Sequence, residues 1–67
     1  MTDTVYRKTA LVGSSSTIEG AIQTAIGRAN KTIRHIDWFE VSQIRGRVED
    51  GKIVAFQVAL DVGFRVE

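Results

Sequence analysis

The chain is predicted to be an α+β protein of order β-α-β-β, with a three-stranded antiparallel sheet wrapped around one helix. Three observations carry this expectation. Residues 37–66 read as two long strands joined by Asp50-Gly51. Asp-Gly between β-rich runs marks a hairpin, because a type I′ turn needs positive φ at both central positions. Residues 18–36 place isoleucine and alanine at three- and four-residue steps, the period of one helix face. Residues 5–12 mix β-branched, aromatic and basic types in alternation, as an edge strand does. If the helix returns antiparallel to the first strand, strands one and two run the same way. The third strand, the most continuously apolar on one face, then belongs between them, in order 1-3-2.

A chain of 67 residues without repeat or linker is expected to be one domain, 1–67. It has no cysteine, which excludes disulfides and thiolate-held metals. Domains near this size bury only about 60% of their unfolded surface, and unstapled ones often gain stability by association. Nine Lys and Arg against eight Asp and Glu give a net charge of +1. That balance argues against nucleic acid and membrane surfaces as partners. No apolar run has membrane-spanning length. Met1-Thr2-Asp3-Thr4 has no charged region leading into an apolar one, so no signal peptide is visible and a cytoplasmic location is expected.

Along the first strand, Val5, Arg7, Thr9 and Leu11 share one side, and Tyr6, Lys8, Ala10 and Val12 the other. Gly13 is expected to end it. Ser16 with Glu19 three residues on reads as a capping box. The serines before it would suit an anion, but without a glycine-rich phosphate motif plain capping is the simpler reading. Ile18, Ala21, Ile22, Ala25, Ile26, Ala29, Ile33 and Ile36 form the apolar helix face. Gly27 within it costs about 1 kcal/mol relative to alanine, and close packing is its only evident justification. Lys31, Arg34 and His35 sit where a helix C-terminus favours cations, and the same groups suit phosphate.

Counting back from the turn pairs Glu49 with Lys52, Ile44 with Gln57, Glu40 with Asp61 and Trp38 with Gly63. One face then carries Phe39, Val41, Val54, Phe56, Val58, Leu60, Val62 and Phe64 towards the helix. The other carries Trp38, Ile44, Val48, Ile53, Ala55 and Ala59, with Gln57 and Arg65 among them. That second face is too apolar for water, so it is expected to meet a partner subunit, a ligand or both. Arg45 falls opposite Phe56 on the helix side. A bulge at Gly46 or a site on a neighbouring subunit is needed to give it a polar role.

Taken together, Trp38-Phe39-Glu40-Val41, Arg45-Gly46, Asp50-Gly51-Lys52, Phe56-Gln57-Val58 and Val62-Gly63-Phe64-Arg65 resemble the dodecins, small flavin-binding proteins of bacteria and archaea. Val12-Gly13 with the following serines, Ala21-Ile22, Ala25-Ile26, Arg28-Ala29 and Thr32 extend the likeness nearly end to end. The Ser14–Ser16 loop departs from it in detail. The resemblance implies a curved sheet around the helix and a hollow homododecamer of tetrahedral symmetry built from trimers. It implies FMN or riboflavin bound in stacked pairs between tryptophans of symmetry-related subunits. The implied activity is storage and quenching of flavin photochemistry, and some bacterial members also bind coenzyme A.

The residues agree with this chemistry. An electron-rich indole at Trp38 suits the electron-poor isoalloxazine, although an interface or core tryptophan is the plainer alternative. The Gln57 carboxamide offers two donors and an acceptor, suits a pyrimidine edge and matches the flavin-edge residue of the family. Asp37 either accepts from a ribityl hydroxyl or caps the helix-to-strand corner. Arg45 and Arg65 match family positions near the FMN phosphate, which a guanidinium fork suits. Tyr6, Arg28, Thr32 and Arg34 are the positions the resemblance offers to coenzyme A, and are otherwise a solvated face. Catalysis is poorly provided for. His35 is the only histidine, and Glu40 faces Asp61. Like charges directly opposite are destabilising, so these two are expected to meet basic groups or a cation at a subunit interface. A non-enzymatic flavin store is therefore expected, with a flavin-dependent enzyme or a βαββ assembly module for some other partner as alternatives.

Overall fold

Four elements follow one another in the computed structural model, which describes residues 3–66: β1 (Val5–Ser15), α1 (Ile18–Ala29), β2 (Ile36–Glu49) and β3 (Lys52–Val66). Met1 and Thr2, part of the N-terminal stretch read above for a leader, and Glu67, the last residue of the expected domain, lie outside the described residues. The sheet has the expected order, β1-β3-β2, and both pairings are antiparallel. The core lies where β3 crosses α1. Ala21 and Ala25 of the helix meet Val58, Leu60 and Val62 of the sheet, and Leu11, Ile22, Ile26, Ile33 and Ile36 pack around them. Burial of a Val or Leu side chain contributes about 1.5–3 kcal/mol, and the small alanines let the helix come close to the strands.

That closeness overturns the expected break at Gly13. β1 continues through it to Ser15, with Gly13 buried opposite Val58. A Cβ at Gly13 would overlap the Ala21 carbonyl oxygen of α1. The glycine thus serves as the crossing point of strand and helix and leaves the strand intact.

The extra strand residues also displace the expected cap. Ser14 and Ser15 remain in the ladder, opposite Gln57 and Phe56. The N-cap is Thr17, in extended conformation, and its Oγ1 accepts from the Gly20 N–H at 2.9 Å. No Ser16–Glu19 capping box forms, because the third helical position is Gly20. The helix is shorter than its apolar period. It stops at Ala29, and the Ile33 N–H donates to the Ala29 carbonyl at 2.9 Å across one further turn. His35, at φ 61°, then reverses the chain into β2. Histidine is among the residues enriched in this left-handed region. Ile33 and Ile36 therefore keep their place against the core without being helical, while Lys31, Arg34 and His35 lie beyond the helix. Arg28 is the basic residue of its last turn.

A Cβ at Gly27 would meet nothing within 4 Å outside its own helix turn, so close approach does not explain the glycine. Gly27→Ala is expected to raise stability by up to about 1 kcal/mol through helix propensity. A rise in the denaturant midpoint at unchanged slope is the measurement that checks this.

The turn is as expected, with Asp50 at φ 52° and Gly51 at φ 75°. Both ends of the hairpin register hold as well: Glu49 pairs with Lys52, Glu40 with Asp61 and Trp38 with Gly63. The middle is offset by one. An extra residue, Val54, bulges from β3, and Ser42 bulges from β2 and cancels it. The Ser42 hydroxyl donates to the Ala59 carbonyl at 3.1 Å and fastens that bulge. Between the two bulges Ile44 pairs with Val58, Arg45 with Gln57 and Gly46 with Phe56. Arg45 therefore leaves the helix side and joins the face of Gln57. Ile44, Val48 and Ile53 move the other way.

The hairpin also outruns the helix, in a protomer of 56 × 20 × 14 Å. Val54, expected in the core, lies in that outrunning end and is 43% exposed. Phe39 and Val41, also expected there, pair with the buried Val62 and Leu60 but stand on β2, beside the strands that α1 covers, and are 46% and 37% exposed.

Candidate functional site

Trp38 is seated by the residue across from it. A Cβ at Gly63 would overlap the indole, so the ring lies directly over the β3 backbone at that glycine. The Tyr6 ring flanks it at 6.3 Å between centroids, tilted by 54°. The indole remains 37% exposed, which leaves an aromatic surface open beyond the sheet.

A polar frame surrounds this seat. Asp37 occupies the irregularity between Ile36 and Trp38. Its Oδ2 accepts from the Tyr6 hydroxyl at 3.3 Å and pairs with Arg65 Nε at 3.6 Å. Arg65 Nη2 lies 3.2 Å from His35 Nδ1, and the Arg65 backbone N–H donates to the His35 carbonyl at 3.2 Å. Lys8 Nζ meets Glu40 Oε1 at 3.2 Å, a basic group supplied to Glu40 from within the protomer. Both partners of that pair are more than half exposed, so it contributes little to stability. Among the described residues no group of acidic, histidine or cysteine side chains is arranged to hold a metal.

Gln57 is half-buried on the same sheet face, between Ser14 of β1 and Arg45 of β2. It lies six positions along β3 from Gly63, on the order of 20 Å at the rise of a strand. Within one protomer, therefore, Trp38 and Gln57 are too far apart to touch a single three-ring ligand. Arg65 belongs to the Trp38 end of the sheet and Arg45 to the Gln57 end.

The four positions offered to coenzyme A are scattered. Thr32 and Arg34 line a cavity of about 460 Å³ with Arg7, Ile33, His35, Phe64, Arg65 and Val66. Arg28 lines a separate groove of about 220 Å³ with Leu11, Val12, Gly13, Ser14, Thr24 and Ala25. Tyr6 stands beside Trp38. The cationic character of the larger cavity, with Arg7 added to Arg34 and Arg65, is not evident in the sequence, because it depends on where the post-helix turn lands. The one available signal is strand alternation, which places Arg7 on the helix side.

Fold and site together define a βαββ protein that presents an open aromatic and polar sheet face. The chain belongs to the dodecin family, whose model, described as Dodecin, matches residues 5–67. It is 53% identical over 64 residues to the dodecin of Thermus thermophilus, covering 94% of this chain and 93% of that one. A Thermus thermophilus crystal structure superposes with a TM-score of 0.91 at 52% identity, over 97% of each chain. The Streptomyces coelicolor dodecin does so with a TM-score of 0.91 at 46% identity, over 100% of this chain and 97% of that one. The expected fold is thus the family's fold, and the family is one of flavin-binding homo-oligomers. No helix among the described residues is long and apolar enough to cross a membrane.

Proposed function

We propose that this protein stores FMN or riboflavin in pairs stacked between Trp38 side chains of neighbouring subunits, in a closed cytoplasmic homododecamer that quenches the photochemistry of the bound rings. The observation that carries this reading is the indole laid over Gly63 with aromatic surface exposed. A flat, electron-rich plate fixed on a strand is suited to offset stacking with a flat, electron-poor ring. Assembly is supported by β2, on which every residue but Ile36 is exposed, including Phe39, Val41, Ile44 and Val48. Large apolar surface of that kind marks an interaction site.

The distance between Trp38 and Gln57 supports a site shared between subunits, in which Gln57 reads the pyrimidine edge of a flavin stacked on a neighbour's indole. Asp37 accepts from the ribityl chain beside its bond to Tyr6. Arg45 is suited to the FMN phosphate from the Gln57 end of the sheet, while the Arg65 guanidinium engages Asp37 and His35 at the Trp38 end. A ring enclosed between two indoles leaves no room for a substrate at its reactive edge, so the role is binding without turnover. Thr32 and Arg34, in the cationic cavity, are suited to the phosphates of coenzyme A. Arg28 and Tyr6 join them only if other subunits bring them near.

Fluorescence-quench titration of both flavins at low and high salt tests this. Gln57→Ala is expected to weaken riboflavin and FMN alike, and Arg45→Ala to weaken FMN alone. A phosphate–guanidinium contact is screened at a Debye length of about 10 Å in 0.1 M salt, whereas stacking is not. FMN affinity should therefore fall towards that of riboflavin as salt rises. Equal loss of both flavins in Arg45→Ala would overturn the phosphate assignment, and a purified protein that quenches neither flavin would overturn the storage reading.

A further inference from the structure

We infer that Arg65 is a positioning residue for Trp38, acting on the indole through Asp37 and His35 without touching the flavin. The inference rests on the flavin reading above and deepens it. Arg65 reaches the two segments that deliver Trp38. Its Nη2 donates to His35 Nδ1, since a guanidinium has donors only, and its backbone N–H donates to the carbonyl of the same residue. His35 is the left-handed residue that turns the chain into β2. The Arg65 Nε pairs with Asp37, the irregular residue directly before Trp38. Asp37 in turn accepts from Tyr6, whose ring flanks the indole.

One guanidinium therefore holds both the turn that starts the strand and the residue adjoining the stacking platform. The ion pair is exposed enough, at 45% and 38%, to add little to stability. Its consequence is geometric. An indole over a glycine has no side chain beneath it to limit sliding, so its orientation is set from the flanks, by Tyr6 and by the backbone at Asp37.

The experiment is a double-mutant cycle read with riboflavin, which has no phosphate, on the assembled protein. Arg65→Ala is expected to weaken riboflavin and FMN by the same factor, on the order of tenfold, and to leave the salt dependence of each as in the wild type. Introduced into Trp38→Ala, the same change should have no further effect on riboflavin, because its action passes through the indole. Arg65→Lys, which reaches one of the two anchors at a time, should recover part of the loss. Near-ultraviolet circular dichroism of the single tryptophan in the ligand-free protein should change in Arg65→Ala and return partly in Arg65→Lys.

Loss of FMN binding alone would assign Arg65 to the phosphate and overturn the inference. A riboflavin loss that persists in the Trp38→Ala background would make Arg65 a direct flavin contact and overturn it as well. If Arg65→Ala does not assemble by light scattering, Arg65→Gln takes its place in the cycle. Failure of both to assemble would make Arg65 a residue of the assembly, again against the inference. A wild-type protein that does not quench riboflavin would instead refute the flavin reading itself, so the two failures are distinguishable.

Discussion

Trp38→Ala is expected to weaken flavin binding on the order of ten- to a hundredfold and to restore the fluorescence of flavin mixed with the protein. Stacking of a planar base on an aromatic side chain is worth about 1–3 kcal/mol by alanine substitution, and each 1.4 kcal/mol is a factor of ten in affinity. The remaining contacts cannot compensate. With the indole gone, the sheet presents bare backbone at Gly63, and Tyr6 is tilted by 54° relative to the lost ring. Gln57 lies too far along β3 to substitute for it. Fluorescence-quench titration together with light scattering reads the outcome. Unchanged titration in an intact oligomer would refute the stacking platform. Loss of the oligomer would make Trp38 an interface residue first.

The largest effect on stability is expected from Gly13→Ala. The added methyl would overlap a backbone carbonyl, Ala21 O, and approach Ala25 Cβ at 3.0 Å. A clash with the end of a flexible side chain relaxes by a change of rotamer, but a clash with the helix backbone requires strand and helix to move apart. The same contact carries Ala21, Ala25, Val58 and Leu60, so moving apart opens the core. Overpacking costs about 1–3 kcal/mol and occasionally more, and the upper end applies here. For a domain of this size that is a large share of the total. The variant should show a markedly lower denaturant midpoint than the wild type, or fail to assemble. Retention of the wild-type midpoint would mean that β1 and α1 are not in the contact described. Gly27→Ala, a methyl added where nothing lies within 4 Å, is the matched control with the opposite sign.

Local chemistry accounts for much of what is legible in the sequence. Asp50-Gly51 specifies its turn because both residues must take positive φ, and they do. The uninterrupted apolar face of Val58, Leu60 and Val62 marks the central strand, because only a covered strand can be so apolar. From these two features the order β1-β3-β2 and the pairing of Trp38 with Gly63 both follow. The family likeness of Trp38, Arg45, Gln57 and Arg65 is legible for a different reason: those residue types at those spacings are specific in combination.

Beyond local chemistry the sequence is silent. Two bulges, at Val54 and Ser42, leave both ends of a hairpin in register while exchanging the faces of Ile44, Arg45, Val48 and Ile53, and strand alternation carries no mark of either. Simple alternation misplaces Arg45 for that reason alone. The apolar period runs past Ala29 because burial, not helical hydrogen bonding, selects Ile33 and Ile36, and both conformations place them on the same core. Ser16 and Thr17 have similar capping chemistry. The choice between them comes from β1, which keeps Ser15 in the ladder and moves the helix start along the chain. Gly13 has the composition of a strand breaker, yet its role as a crossing point requires a helix on the other side. The element order, the turn and the identity of the stacking residue are thus written in neighbouring residues. The faces of the mid-hairpin residues, the helix ends and the Arg65 frame around Trp38 depend on segments about thirty residues apart in sequence, such as Tyr6 with Asp37 and His35 with Arg65. Contacts between such segments exist only after the sheet has closed over the helix.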